Sequence, residues 1–398
     1  MWCKTLLVLQ CICCSFLVAT VPNELIEGQN QFTSNLFKKV SSTSDNLVFS
    51  PYSIANALQL AYVGAEGQTK NEIGMLFSFS PSDSQTTFNN FKALNTFLSP
   101  KISSANLVAI DKNFNPERSY LDKVDSFGAK LFAIDTIHDV AASIASMNGW
   151  VKESTQGHIQ DLLQPQDVNS LTKMVLLNAV YLKADWQSPF DLGQTKDDSF
   201  YTEKHETVPV LMMHKKEFLT LYQDKDVRVV WKDMKTKSDD EPAIETVILV
   251  PETDTGRKML KSSFSSELLD HYKMNAARHL VELFFPKCSI KKRLELKDPL
   301  ISLGMKQPFE QGADFSGISS SHKLLLQQVI HEAFMSFNET GLVATAATAA
   351  MVGLTSFLPD STPPIIVRCD KPFFVVVVEK KTNLILFLGY IAKPENPV

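Results

Sequence analysis

The chain has 398 residues, 44% hydrophobic and 21% charged, the balance of a folded soluble protein rather than a disordered chain or a membrane bundle. With 39 basic against 44 acidic residues the formal charge is −5. It offers no basic surplus to displace counterions, so no nucleic-acid partner is expected.

In chain order, the N-terminus reads as a secretory leader. Lys4 supplies the positive start, residues 5–19 a short apolar stretch, and Ala19 and Thr20 the small residues before polar sequence. The stretch is shorter than the roughly 20 residues of a membrane span, and no membrane partner is expected. Cleavage near residue 20 would remove Cys3, Cys11, Cys13 and Cys14, leaving Cys288 and Cys369, which are expected to be free buried thiols. The domain proper is then 21–398, reached through a leader of 1–20.

Leu47-Val48-Phe49 reads as a short strand, and Ser50-Pro51 as the cap and first turn of the following helix. A helix is predicted from Val140, ending near Gly157. Beyond it the chain is strand-rich. Met174 to Leu182 is an almost unbroken apolar run, as in a strand buried on both faces, and Glu245–Val250 and Leu280–Phe285 read similarly. Phe373–Val378 and Leu384–Ile391 flank the polar turn 380–383 and form a C-terminal hairpin. No repeat or linker divides the chain. Helices followed by strands, without βαβ alternation, indicate one α+β domain.

No G-x-S-x-G elbow, Walker loop or H-E-x-x-H occurs, and the eight histidines are scattered. The chain is therefore not expected to be an enzyme, and no metal or cofactor is expected. Residues 338–364 stand out instead. Asn338-Glu-Thr-Gly341 leads into Leu342-Val-Ala-Thr-Ala-Ala-Thr-Ala-Ala350, and no charge occurs between Gly341 and Pro359. A run this small and uncharged suits a buried helix or a loop able to slot between strands, where charge would resist burial.

Asn338-Glu-Thr-Gly with its Ala/Thr run resembles the hinge of a serpin reactive loop. Asp370-Lys-Pro-Phe-Phe374 and Phe387-Leu-Gly-Tyr390 are similar to the serpin C-terminal signature. Gln311–Gly317, Leu47–Ser53 and Ala61–Thr69 resemble further serpin segments, as does Asn178 with Trp186 eight residues on. The likeness covers residues 30–395. With the leader, the Tyr52-to-Gln68 region has an arthropod-like character.

The resemblance implies a single-domain fold of helices on three β-sheets with an exposed reactive-centre loop. It implies a suicide inhibitor of a serine protease: the protease cleaves the loop, is held as an acyl-enzyme, and the loop inserts into the main sheet. The hinge would be Glu339, Thr340, Gly341, Leu342, Val343, Ala344, Thr345, Ala346, Ala347 and Thr348, with Leu342 standing where the family prefers Thr or Ser. Family spacing puts the reactive bond at Thr355-Ser356, with Leu354-Thr355 and Phe357-Leu358 as alternatives. No Arg or Lys lies between Gly341 and Pro364, so an elastase-like or chymotrypsin-like target is expected.

Ser50, Ser53, Asn178 and His331 correspond to the family's shutter, a polar cluster beneath the sheet, and Trp186 to the breach where the loop enters. Asn338-Glu-Thr340 is a glycosylation sequon at the hinge itself. The stretch that binds heparin in many serpins, here Phe91–Ser104, carries only Lys92 and Lys101, so heparin binding is not expected. A monomer is expected. The alternative function is a non-inhibitory serpin acting as a binding or carrier protein.

Overall fold

Backbone polar groups in a large apolar core must be paired, and the described residues pair them in helices and β-ladders. The computed structural model describes residues 22–41, 45–79, 84–239, 241–320, 324–342 and 363–396. The leader and residues 343–362, with the reactive bond, lie outside them.

The first half carries helices α1 (Asn23–Val40), α2 (Pro51–Tyr62), α3 (Gly67–Met75), α4 (Ser84–Leu98), α5 (Arg118–Ser126) and α6 (Val140–Ser154). Interspersed are β1 (Leu47–Phe49), β2 (Ile102–Asp111) and β3 (Lys130–Ile134). The helix starts follow local chemistry. Ser50 caps α2 by accepting from the Ser53 amide, with Pro51 in the first turn, and Asp139 caps α6 through the Ala142 amide. The predicted helix from Val140 ends at Ser154, three residues before Gly157.

The second half supplies β4 (Met174–Leu182), β5 (Ala184–Asp185), β6 (Lys196–Tyr201), β7 (Thr207–Gln223), β8 (Val227–Asp233), β9 (Ile244–Pro251) and β10 (Ala277–Glu295). Then come β11 (Leu326–Phe337), β12 (Gly341–Leu342), β13 (Ile365–Arg368) and the hairpin β14 (Phe373–Glu379) and β15 (Leu384–Ile391). Helices α7 (Asp254–Ser263), α8 (Ser266–Met274) and α9 (Lys297–Ser302) fill the gaps.

The expected architecture of helices packed on β-sheet stands, and its strands are hydrogen-bonded into one continuous network. The reason is strand length. The first part of β10 pairs with β7 and its last eight residues with β11, while β7 itself reaches β6, β10 and β8. One leaf of this network, β10-β11-β4-β2-β3, positions the candidate site. Helix α2, buried on every side, packs beneath it against β4 and β2 and against β15 below. Helix α6 packs on its outer face, where Met147 and Val151 meet Ala105, Leu107, Val175 and Leu177.

Candidate functional site

In that leaf β4 and β11 lie side by side and parallel, from Leu326 beside Met174 to Phe334 beside Tyr181. Their outer neighbours, β2 and β10, are antiparallel to them. The parallel seam is therefore flanked on both sides by antiparallel ladders, and parallel pairing is the slightly weaker kind.

A polar cluster sits under the seam at its midpoint, where His331 and Asn178 are register partners. The Ser50 amide donates to His331 Nε2 at 3.0 Å, which leaves the proton on Nδ1, 2.5 Å from Asn178 Oδ1. Asn178 Nδ2 donates in turn to Ser53 Oγ at 2.6 Å and Asn106 Oδ1 at 2.7 Å, and Ser50 Oγ donates to the Leu386 carbonyl at 2.6 Å. Burial pushes the His331 pKa down to about 3, so the ring is neutral. The predicted shutter residues Ser50, Ser53, Asn178 and His331 thus form one connected network that ties both sides of the seam to α2.

The top of the seam is closed by the predicted breach and hinge. Trp186 is buried; its backbone amide donates to the Thr340 carbonyl at 2.8 Å and its ring nitrogen to the Asn338 carbonyl at 3.0 Å. Its ring stacks on Phe337 and meets Phe190 edge-on. The turn 338–341 is held from inside: Asn338 Oδ1 accepts from the Thr340 amide, the Thr340 hydroxyl and the Gly341 amide. Glu339 is buried, bound by Lys287 at 3.0 Å and by the Thr195 hydroxyl. Burial works to raise its pKa, but its own amide, Lys287 and Thr195 outweigh this and hold the carboxyl below the ordinary value.

From this turn the chain enters the seam. Gly341 and Leu342 pair antiparallel with β5, the continuation of β4, on one side, and Leu342 pairs with Phe337 of β11 on the other. Gly341 is required by contact: a Cβ there would lie 2.3 Å from the Ala184 carbonyl oxygen. Leu342, the departure from the family pattern, is fully buried among Trp186, Phe285 and Phe337 in the core of this region.

Val343 to Thr348 of the hinge, and Leu354, Thr355, Ser356 and Phe357 around the reactive bond, lie outside the described residues. Cys288 and Cys369 are free and buried. In the stretch that binds heparin in many serpins, Lys101 is buried against Glu241, leaving Lys92 exposed. The sequon residue Asn338 is partly exposed. Sequence reading missed Asn106, which completes the seam cluster, and Lys287 and Thr195, which neutralise and hold Glu339. A buried glutamate demands a cation, and a lysine inside the apolar run of β10 was the available signal.

Comparison with known proteins agrees with this geometry. The model of the family described as serpin (serine protease inhibitor) matches residues 27–394. A serine protease inhibitor of Cyanea capillata is 31% identical, covering 89% of this chain and 94% of that one. The leukocyte elastase inhibitor of Bos taurus is 29% identical over 93% of this chain and 100% of that one. Relatives also occur in Thermococcus kodakarensis and Homo sapiens, so the comparisons do not support the arthropod-like character. Among solved structures, human thyroxine-binding globulin in complex with thyroxine is 27% identical with a TM-score of 0.84, covering 94% of this chain and 100% of that one. With a family match over nearly its whole length, this chain is a member of the serpin family.

Proposed function

We propose that this serpin is a secreted inhibitor that traps an elastase-like or chymotrypsin-like serine protease by inserting its cleaved loop between β4 and β11. The observation that carries the reading is the hinge: Gly341 and Leu342 already run antiparallel to both sides of the seam. Continued insertion replaces one parallel ladder by two antiparallel ones, a gain in hydrogen-bonded strand that drives the step.

The register supports it independently from both sides. Leu342 is level with Phe337 and with Ala184. Extending either ladder down the seam sets Thr348 level with His331 and with Asn178, which are already partners of one another. Thr348 would then bring a hydroxyl to the polar cluster, on the face shared by Leu342, Ala344 and Ala346. Thr345 would face outward, level with Phe334 and Tyr181. Neither face carries charge, so burial meets no charged group.

Secretion rests on the leader, and target class on the apolar and small residues around Thr355-Ser356. A glycan on Asn338 would sit on the hinge. The leukocyte elastase inhibitor among the relatives agrees with an elastase-like target. The likeness to thyroxine-binding globulin favours the second reading, a non-inhibitory binding protein on the same fold. The uncharged hinge favours the first.

Mixing the purified protein with chymotrypsin, pancreatic elastase and trypsin tests the choice. An adduct with elastase or chymotrypsin that survives SDS, with release of the peptide Ser356–Val398, is expected. Loop cleavage by every protease with no adduct would replace the inhibitor by the binding protein.

A further inference from the structure

The segment 155–167, which leads from α6 towards β4, straps across the outer face of the leaf. At its start Gln156 and Gly157 take positive φ, +52° and +85°, and turn the chain back. The Thr155 hydroxyl donates to the Val151 carbonyl and accepts from the Ile159 amide there. At its far end Arg293 of β10 donates to the Leu162 carbonyl at 2.9 Å and pairs with Asp167 at 2.6 Å, while Asn148 brackets Leu163 through both its amide and its carbonyl.

Between these anchors lies His158. Its ring stacks on Phe334 of β11, 5.1 Å between centroids and 15° between planes, and tilts against Tyr181 of β4 at 4.8 Å. Phe334 and Tyr181 are register partners directly across the seam. One imidazole therefore touches both strands that must separate, at the level where Thr345 would enter. We infer that His158 is a protonation-sensitive latch on this seam: neutral, it holds β4 and β11 together, and protonated, it releases them. The inference rests on the insertion reading above, because it concerns the step at which the seam opens.

The surrounding charges decide the direction. Burial first, and Lys183 just beyond β4 second, hold the His158 pKa below its ordinary 6.5. On β11 the carboxylate on the same face is Glu332, already paired with Lys291 of β10 at 2.8 Å. Asp167 is taken by Arg293, and Lys152 and Glu153 lie exposed at the end of α6. Neither paired carboxylate is free to receive an imidazolium. His331 lies on the opposite face of the leaf, within its own network.

Above about pH 6.5 the ring is neutral with the seam closed or open, and the latch holds in full. Below it the open state takes the proton first, so acid favours opening, by up to about tenfold between pH 7.5 and 5.5.

The test is uptake of a synthetic peptide of residues 343–352 by the intact full-length protein, followed by native-gel mobility at pH 7.5 and 5.5. Wild type should take it up several-fold faster at pH 5.5. His158→Phe, which keeps an aromatic stack without a titratable group, should be equally slow at both, and His158→Leu serves if that variant folds poorly. Equal wild-type rates, no uptake at either pH, or acid acceleration retained in the variants overturns the latch. Protease adducts measured on the same preparations at pH 7.5 separate the two claims. Adducts with pH-indifferent uptake sink the latch alone, and acid-gated uptake without adducts sinks the inhibitor reading alone.

Discussion

His331 has little freedom. The Ser50 amide occupies one ring nitrogen and Asn178 the other, so the neutral ring in a single tautomer satisfies both. Replacing it by alanine leaves a buried amide and a buried carbonyl oxygen unpaired, a cost of about 2–5 kcal/mol together. Urea unfolding of His331→Ala at pH 7.5 should show that loss. The pH dependence has a definite sign. The folded pKa of about 3 lies below the ordinary 6.5, so the contribution of His331 is complete above pH 6.5 and fades as pH falls from there towards 3. The difference between wild type and His331→Ala should therefore shrink at pH 5. A difference that grows on acidification would contradict the neutral ring. Leu342 is constrained in another way: it is buried in the resting chain, so its apolar side chain already contributes before any cleavage.

At the scale of elements, the seam is two strands joined by a weaker parallel ladder between antiparallel flanks. The incoming strand must match both, and the two registers agree on Thr348 opposite the polar cluster. Thr348→Asp would place a carboxylate beside His331, where burial of charge is costly by several kcal/mol. Protease assays should show the variant cleaved as a substrate with few or no trapped adducts, while its resting stability stays near wild type. Unchanged trapping would mean that the loop does not enter in this register.

Much of this scale was legible in the sequence. The almost unbroken apolar run Met174–Leu182 coincides with β4, Ser50-Pro51 starts α2, and the C-terminal hairpin stands where its two runs and polar turn put it. What stayed hidden depends on contacts distant in the chain. Nothing in residues 155–160 announces that His158 rests on Phe334, and nothing near Asn106 announces Asn178. The fusion of the sheets into one network was hidden likewise, since β7 and β10 change partners without a break in their sequence pattern. Positions 50, 53, 178, 186 and 331 were found through the family resemblance, because one buried serine or tryptophan looks like any other.

At the scale of the whole molecule, the structure is a closed sheet with Gly341 and Leu342 already paired at the top of the seam. The proposed reactive bond follows a run of small residues free of charge in the sequence. If insertion is favourable, the intact form is the less stable of two folds of one chain, and loop cleavage is what frees it to reach the other. The most direct measurement is the melting temperature of the intact protein against that of the protein cleaved in residues 350–358. The account predicts that the cleaved form melts higher by about 5 °C or more, as expected when several kcal/mol of new strand pairing is added to a domain of this size. Equal or lower melting after cleavage would contradict insertion between β4 and β11, and with it the proposed mechanism.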